Sequence, residues 1–322
     1  MIVRWGLDSL GGVLDEVGSA RPFVVASERW AALEIPVEPA ARWTEVPSDR
    51  IDDAAEAATN ADAVLAIGGG SAIDLGKAIS AATGLPLASV PTTYAGAEWT
   101  PYFGIRDPGR RMHGGGSGAR LAGIVYEPRL TLDLPRPETV GTAMNALAHC
   151  AEALYVRGHN EEADAHALEG TRLIGDHLPR VVAAPGELEE RSALLRGACE
   201  AGQALGGSML ALGHAMAQAV GGRYGLPHGA LNAICLPAAL RFNEPVAPEA
   251  LRRLGAALGT DDPIGRVEEL ARLGGFERLR DLGLPEDELN EVAEAAAVRA
   301  GTKANPRPAT PEQIAELLRS VY

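Results

Sequence analysis

The chain has 322 residues, 46% of them hydrophobic, 22% charged and only 4% aromatic. That length suits about two domains, and that hydrophobic content argues against a disordered chain. With 29 basic and 43 acidic residues the net charge is −14, which repels nucleic acid and anionic lipid, and no dense Lys/Arg run offsets it. The three cysteines, Cys150, Cys199 and Cys235, have no CxxC spacing and read as buried thiols in a reducing compartment. The start, Met1-Ile2-Val3-Arg4-Trp5-Gly6, lacks the basic and apolar regions of a secretory signal, and no apolar run is long enough to span a bilayer. The expected location is the cytoplasm.

Residues 8–17 carry helical spacing through Leu10, Val13, Leu14 and Val17, and 22–26 read as a short buried strand. The next stretch is compressed. Residues 28–34 leave room for about two helical turns, and the only strand-like piece after them is Arg42-Trp43-Thr44-Glu45-Val46. Residues 49–60 form a helix that ends at Asn60. Ala63-Val64-Leu65-Ala66-Ile67 is a continuous apolar run stopped by three glycines, the pattern of a strand buried on both faces. Helical spacing returns over 71–83, and Leu87-Ala88-Ser89-Val90 is a further strand closed by Pro91. Alternation of this kind predicts a parallel sheet with right-handed crossovers. Gly114-Gly115-Gly116-Ser117-Gly118 reads as a mobile loop or a slack surface connection. After Pro135 the pattern is helical, over 137–156, 161–178, 189–220, 230–241, 247–258 and 311–321. The expected organisation is an α/β domain over 1–135 and an all-α domain over 136–322.

The run Ile67-Gly68-Gly69-Gly70-Ser71-Ala72-Ile73-Asp74-Leu75-Gly76-Lys77 falls at the strand-to-helix turn. Glycines let phosphate oxygens approach bare backbone, and the helix start offers free N–H donors and a positive dipole end. Ser71 is placed to cap the helix, while Asp74 and Lys77 fall within reach of a ribose or of the second domain. About twenty residues later Val90-Pro91-Thr92-Thr93-Tyr94-Ala95-Gly96-Ala97-Glu98 puts two hydroxyls after a strand end, where they suit ribose or phosphate. Glu28, just past the second strand, has two readings. It accepts from the adenine ribose hydroxyls, which favours NAD over NADP, or it is an acid in a helix's first turn.

The pair GGGSxxDxGK and PTTYAGAEWTP resembles the iron-containing alcohol dehydrogenase superfamily, and within it the maleylacetate reductase branch. The resemblance continues through Tyr126-Glu127-Pro128-Arg129-Leu130, Met144-Asn145-Ala146-Leu147-Ala148-His149, Gly225-Leu226-Pro227-His228 and Asn305-Pro306-Arg307-Pro308. It implies a Rossmann-like first domain, a helical second domain, and a cleft that holds NAD(H) or NADP(H) and a small substrate. On it Gly69, Gly70, Ser71, Thr92 and Thr93 bind cofactor, Lys77, Glu28 and Arg111 are further candidates, and the chain works as a homodimer. Arg110-Arg111 read equally as a solvated basic pair.

In metal-dependent members an Asp, a His four residues on and two further His hold the ion, and these match Asn145, His149, His214 and His228. Asn145 replaces the anionic ligand, which weakens iron or manganese most. The maleylacetate reductase branch carries the same Asn and works without metal, so none is expected here. His228 and His214 are then the candidates to polarise and protonate a carbonyl, with Asn145 orienting it and His149 alongside. Gln218 stands where the family usually has a proton-relaying histidine, and Lys303 where the reductases carry an aromatic pocket residue; both face substrate on this reading. His113, His159, His166 and His177 match no site position and read as surface or packing residues. The leading reading is a metal-independent NAD(P)H-dependent reductase of a small acidic or biosynthetic carbonyl compound. The alternatives are a metal-dependent alcohol dehydrogenase and a non-redox lyase or cyclase built on the same cleft.

Overall fold

In a computed structural model that describes all of residues 1–322, the chain divides into two compact units, Met1–Asp133 and Leu134–Tyr322.

The first unit is built on a six-stranded parallel sheet. Its strands are β1 (Ile2–Trp5), β2 (Phe23–Ala26), β3 (Ala41–Trp43), β4 (Val64–Gly68) and β5 (Pro86–Pro91), with a further strand over Arg120–Tyr126. The order is β1, Arg120–Tyr126, β5, β4, β2, β3. Alternate side chains of the central strands go to opposite faces. Val24, Ala26, Leu65 and Ile67 join one cluster with Leu10, Val13 and Leu14 of α1 (Leu10–Val17). Phe23, Val25, Val64 and Ala66 join a second, with Ala54 of α2 (Ile51–Ala57) and Ile73, Leu75 and Ile79 of α3 (Gly70–Thr83). Both faces of the sheet are therefore dry, which is why β4 reads as an unbroken apolar run.

Three expectations for this unit change. The Gly114–Gly118 stretch is not a free loop: Met112–Gly116 is strand β7, paired antiparallel with β6 (Phe103–Arg106). The glycines suit pairing rather than slackness. The Phe103 carbonyl lies 2.7 Å from where Gly115 would carry a Cβ, so a side chain there would block the hairpin. With the hairpin numbered, Arg120–Tyr126 is β8. After β2 the chain makes only a 3-10 turn at Glu28–Trp30, shorter than the two helical turns expected, and β3 ends at Trp43 rather than Val46.

The second unit is helical throughout: α4 (Arg136–Ala153), α5 (Glu161–Ala183), α6 (Leu188–Gly206), α7 (Leu212–Tyr224), α8 (His228–Asn243), α9 (Pro248–Leu258), α10 (Pro263–Arg272), α11 (Leu289–Ala297), α12 (Ala300–Ala304) and α13 (Pro311–Ser320). The single helix expected over 189–220 is two, broken at residues 207–211 between α6 and α7. The break frees the first amides of α7, which a distant side chain then takes up, as described below. α4 is the central element, buried at nearly every position from Thr139 to Ala153. The Asn305-Pro306-Arg307-Pro308 motif is structural. Asn305 and Asn243 exchange amide hydrogen bonds of 2.9 and 2.8 Å, and the Arg307 guanidinium lies 4.2 Å from the Phe242 ring. No helix is long and apolar enough to cross a membrane.

Glu127 ties the two ends of the first unit together. Its carboxylate accepts from the Leu7 amide at 3.0 Å, just after β1, and from the Arg129 amide and guanidinium. The Arg129 side chain, ahead of the two amides, holds the Glu127 carboxyl down to about 2 from an ordinary 4.5. A depressed carboxyl stabilises the fold above its unfolded value and stops doing so as pH falls through its folded value. Acid titration followed by circular dichroism should therefore show wild-type stability falling between about 4.5 and about 2, and Glu127→Gln should flatten that limb.

Candidate active site

In the first unit the glycine turn joins β4 to α3. Gly69 is the residue before the helix and no side chain caps it, so Ser71 is not the cap expected; it lies in the first turn, half-buried. The leading amides of α3 are left for a ligand. Thr92 continues from the end of β5, its amide donating to the Gly68 carbonyl at 3.0 Å. Thr93 packs on the turn so closely that a Cβ on Gly69 would lie 2.9 Å from its Cγ2. Gly69, Gly70, Ser71, Thr92 and Thr93 thus form one patch of bare backbone and hydroxyls at a helix N-terminus, which fits the pyrophosphate and ribose of a dinucleotide.

Lys77 stands apart from that patch. It is 1% exposed, and its ammonium meets Asp74 at 3.1 Å and the Tyr102 carbonyl at 2.8 Å, while Asp74 also accepts from the Gly104 amide. The expected cofactor contact becomes a clamp that fastens the β6–β7 hairpin to α3. Glu28 is exposed in its 3-10 turn, and Arg111 is exposed in the hairpin turn, where its amide donates to Asp107. Glu98, inside the second motif, is buried, and burial raises its pKa despite the Tyr126 hydroxyl at 2.6 Å.

In the second unit the structure brings the four predicted residues together and adds two that sequence reasoning missed. α4 presents Asn145, His149 and Glu152 at spacings of four and three, hence on one face. His214 comes from the first turn of α7 and His228 from the first residue of α8. Two glycines permit these approaches. A Cβ on Gly229 would lie 2.4 Å from the Gly141 carbonyl, so α8 crosses α4 backbone to backbone; one on Gly213 would lie 2.9 Å from Glu152 Oε1.

The hydrogen bonds form two branches. Asn232 donates to Asn145 Oδ1 at 2.6 Å and faces His228 Nε2 at 3.0 Å. That orients the Asn145 amide so that its N–H faces His149 Nε2 at 3.4 Å. On the other branch Glu152, fully buried, accepts from the Ala211 amide at 2.6 Å, the His214 amide at 3.1 Å and His214 Nδ1 at 2.8 Å. His214 Nε2 is buried with no partner. The His149 and His214 rings stack with centroids 4.7 Å apart, and His228 is tilted 5.8 Å from His214. Asn232 carries a readable signal, four residues after His228; so does Glu152, three after His149.

The four predicted residues offer imidazoles and an amide but no carboxylate, and amide N–H groups face the Nε2 atoms of His149 and His228. No group of three or more His, Cys, Asp or Glu side chains is arranged to hold a metal ion.

Gln218 is half-buried on α7 and accepts from Arg299 at 3.5 Å, and Lys303 is exposed on α12. The other histidines lie beside carboxylates outside the cluster: His113 at Asp107, His159 at Asp164, His166 at Glu200 and His177 at Glu190.

Residues 5–122 match the iron-containing alcohol dehydrogenase family model, and 139–322 match the C-terminal model of the Fe-containing alcohol dehydrogenase family. A maleylacetate reductase of Burkholderia cepacia is 38% identical over 91% of this chain and 80% of its own length. One of Sphingobium indicum is 39% identical over 85% of this chain and 78% of its own. Among solved structures, the maleylacetate reductase of Agrobacterium tumefaciens superposes with a TM-score of 0.88 at 30% identity, covering 100% of this chain and 95% of that one. An iron-containing alcohol dehydrogenase from Corynebacterium glutamicum gives 0.89 at 32%, covering 100% and 94%.

Gly229→Ala tests the crossing of α4 and α8. Its methyl would press on the Gly141 carbonyl, and overpacking of this kind costs about 1–3 kcal/mol. Thermal unfolding should register the loss, and activity should fall too, because His228 directly precedes Gly229.

Proposed function

We propose that this chain, which belongs to the iron-containing alcohol dehydrogenase family and to its maleylacetate reductase branch, reduces the keto group of a small carboxylate-bearing molecule without a metal. Membership makes it an NAD(P)-dependent oxidoreductase. The observation that carries the metal-independent part is Asn145, a neutral amide whose N–H faces His149 Nε2.

The bound nicotinamide supplies the hydride. The protein's own groups do the rest. The start of α3 and the hydroxyls of Thr92 and Thr93 hold the cofactor's phosphates and ribose through bare amides and a positive helix end. Glu28, exposed just past β2, supports NADH over NADPH. His214 and His228 are the groups that hold the carbonyl oxygen and return its proton, since imidazole exchanges protons near neutral pH. Asn145 has both ends of its amide engaged by neighbours, so it orders the imidazoles rather than gripping substrate. The exposed ammonium of Lys303 suits a substrate carboxylate. The three free, buried cysteines support a cytoplasmic setting, and the family resemblance supports a homodimer.

Both parts of the proposal can be tested. NADH absorbance should fall when the purified protein meets maleylacetate or a related oxo acid; no nucleotide binding by calorimetry would sink the redox reading. Wild-type activity should survive a chelator, with no stoichiometric metal found by elemental analysis. Asn145→Asp restores the missing anion and should make the protein retain zinc or manganese through dialysis. Stoichiometric metal in active wild-type protein would defeat the metal-independent part.

A further inference from the structure

Three imidazoles crowd the cluster, and the reductase reading calls for one proton donor. We infer that Glu152 is a positioning residue that makes His214 the proton donor, while Asn145 and Asn232 hold His149 and His228 out of that role. The inference rests on the reductase reading above.

The partners of each ring carry the argument. His149 Nε2 and His228 Nε2 each face an amide N–H, at 3.4 and 3.0 Å. A donor facing a ring nitrogen opposes placing a proton there. His214 meets a carboxylate instead, at 2.8 Å, and a carboxylate stabilises the imidazolium that a proton donor must be. The His149 ring stacks on His214 at 4.7 Å and 15°. Two cations face to face at that distance repel, so the stacking opposes charging both rings at once.

Glu152 is built for this task. All three groups that meet its oxygens are N–H donors: the Ala211 amide, the His214 amide and His214 Nδ1. It is fully buried and lies at the N-terminus of α7, where the helix dipole favours an anion. Gly213 clears the room it occupies, since a Cβ there would come within 2.9 Å of Oε1. The bond to Nδ1 leaves Nε2 as the working nitrogen, and that atom is buried with no partner.

The step balances. Hydride from NAD(P)H adds to the carbonyl carbon, and the π pair of the C=O bond moves to oxygen. That oxygen bonds the Nε2 proton of the His214 imidazolium, and the N–H pair returns to the ring. The ring ends neutral with Nδ1–H still on Glu152, and solvent replaces the proton.

The test has two independent arms. In the first, wild-type protein labelled with 15N-histidine is examined by NMR, and His214 is assigned by its loss in His214→Gln. The neutral ring should be the Nδ1–H tautomer; an Nε2–H tautomer overturns the inference whatever the activity. In the second, NADH oxidation is measured with a carboxylate-bearing oxo acid as probe. Glu152→Gln should lower kcat about 100-fold, the low end for a lost acid–base group, with KM and the NADH Kd within about threefold. Glu152→Asp, which keeps the charge, should recover part of kcat. Unchanged kcat in folded Glu152→Gln, or matched losses in kcat and nucleotide binding, would overturn it. If Glu152→Gln does not fold, the NMR arm still decides the tautomer and Glu152→Asp the rate. Wild-type protein that oxidises no NADH overturns the reductase reading itself, a result separate from either arm.

Discussion

One fully buried carboxylate organises the helical unit. Glu152 on α4 accepts two amides at the start of α7 and one imidazole nitrogen, so the break after α6, the start of α7 and the orientation of His214 share a single anchor. Removing one partner from such a set leaves a buried polar group unmet, which costs more than the bond itself contributed. The anchor also explains why Gly213 carries no side chain. The other branch, from Asn232 through Asn145 to His149, is neutral throughout. The cluster thus divides into a charged arm and a neutral arm, and the stacked rings of His149 and His214 are where they meet.

The first unit solves a different problem. The surface proposed for its ligand is mostly backbone: a strand stops, Gly69 passes beneath Thr93, and α3 begins without a side-chain cap. Side chains that look suited to a cofactor are partly engaged elsewhere. Lys77 is held by Asp74 and the Tyr102 carbonyl and fixes a hairpin to the helix. A side chain that the sequence offers for recognition thus fastens one element to another.

Much of this was legible in the residues. The apolar run of β4, its glycines and the helical spacing of α3 switch period at one point, and that point is the turn. Asn145, His149, His214 and His228 were found through resemblance, and the structure places them together. What was missed depended on partners far away in the chain. β1 is four residues long and includes Arg4 and Trp5, so it has no strand signature of its own; it exists because β8 pairs with it. The glycine run of β7 looks slack until Phe103 is opposite it. Residues 189–220 read as one helix because the anion that caps the start of α7 comes from 59 positions earlier.

The contact between Gly141 and Gly229 has a consequence for how such a protein changes over time. Where α4 and α8 touch backbone to backbone there is no side-chain volume to trade, and any added atom meets a carbonyl. That seam carries the registers of Asn145, Asn232 and His228 at once, so it can drift only by losing all three. Under the proposed function, novelty in substrate choice would enter elsewhere, through exposed residues such as Lys303 on short α12. On that reading the histidine cluster and the surface around Lys303 are left free to evolve at different speeds.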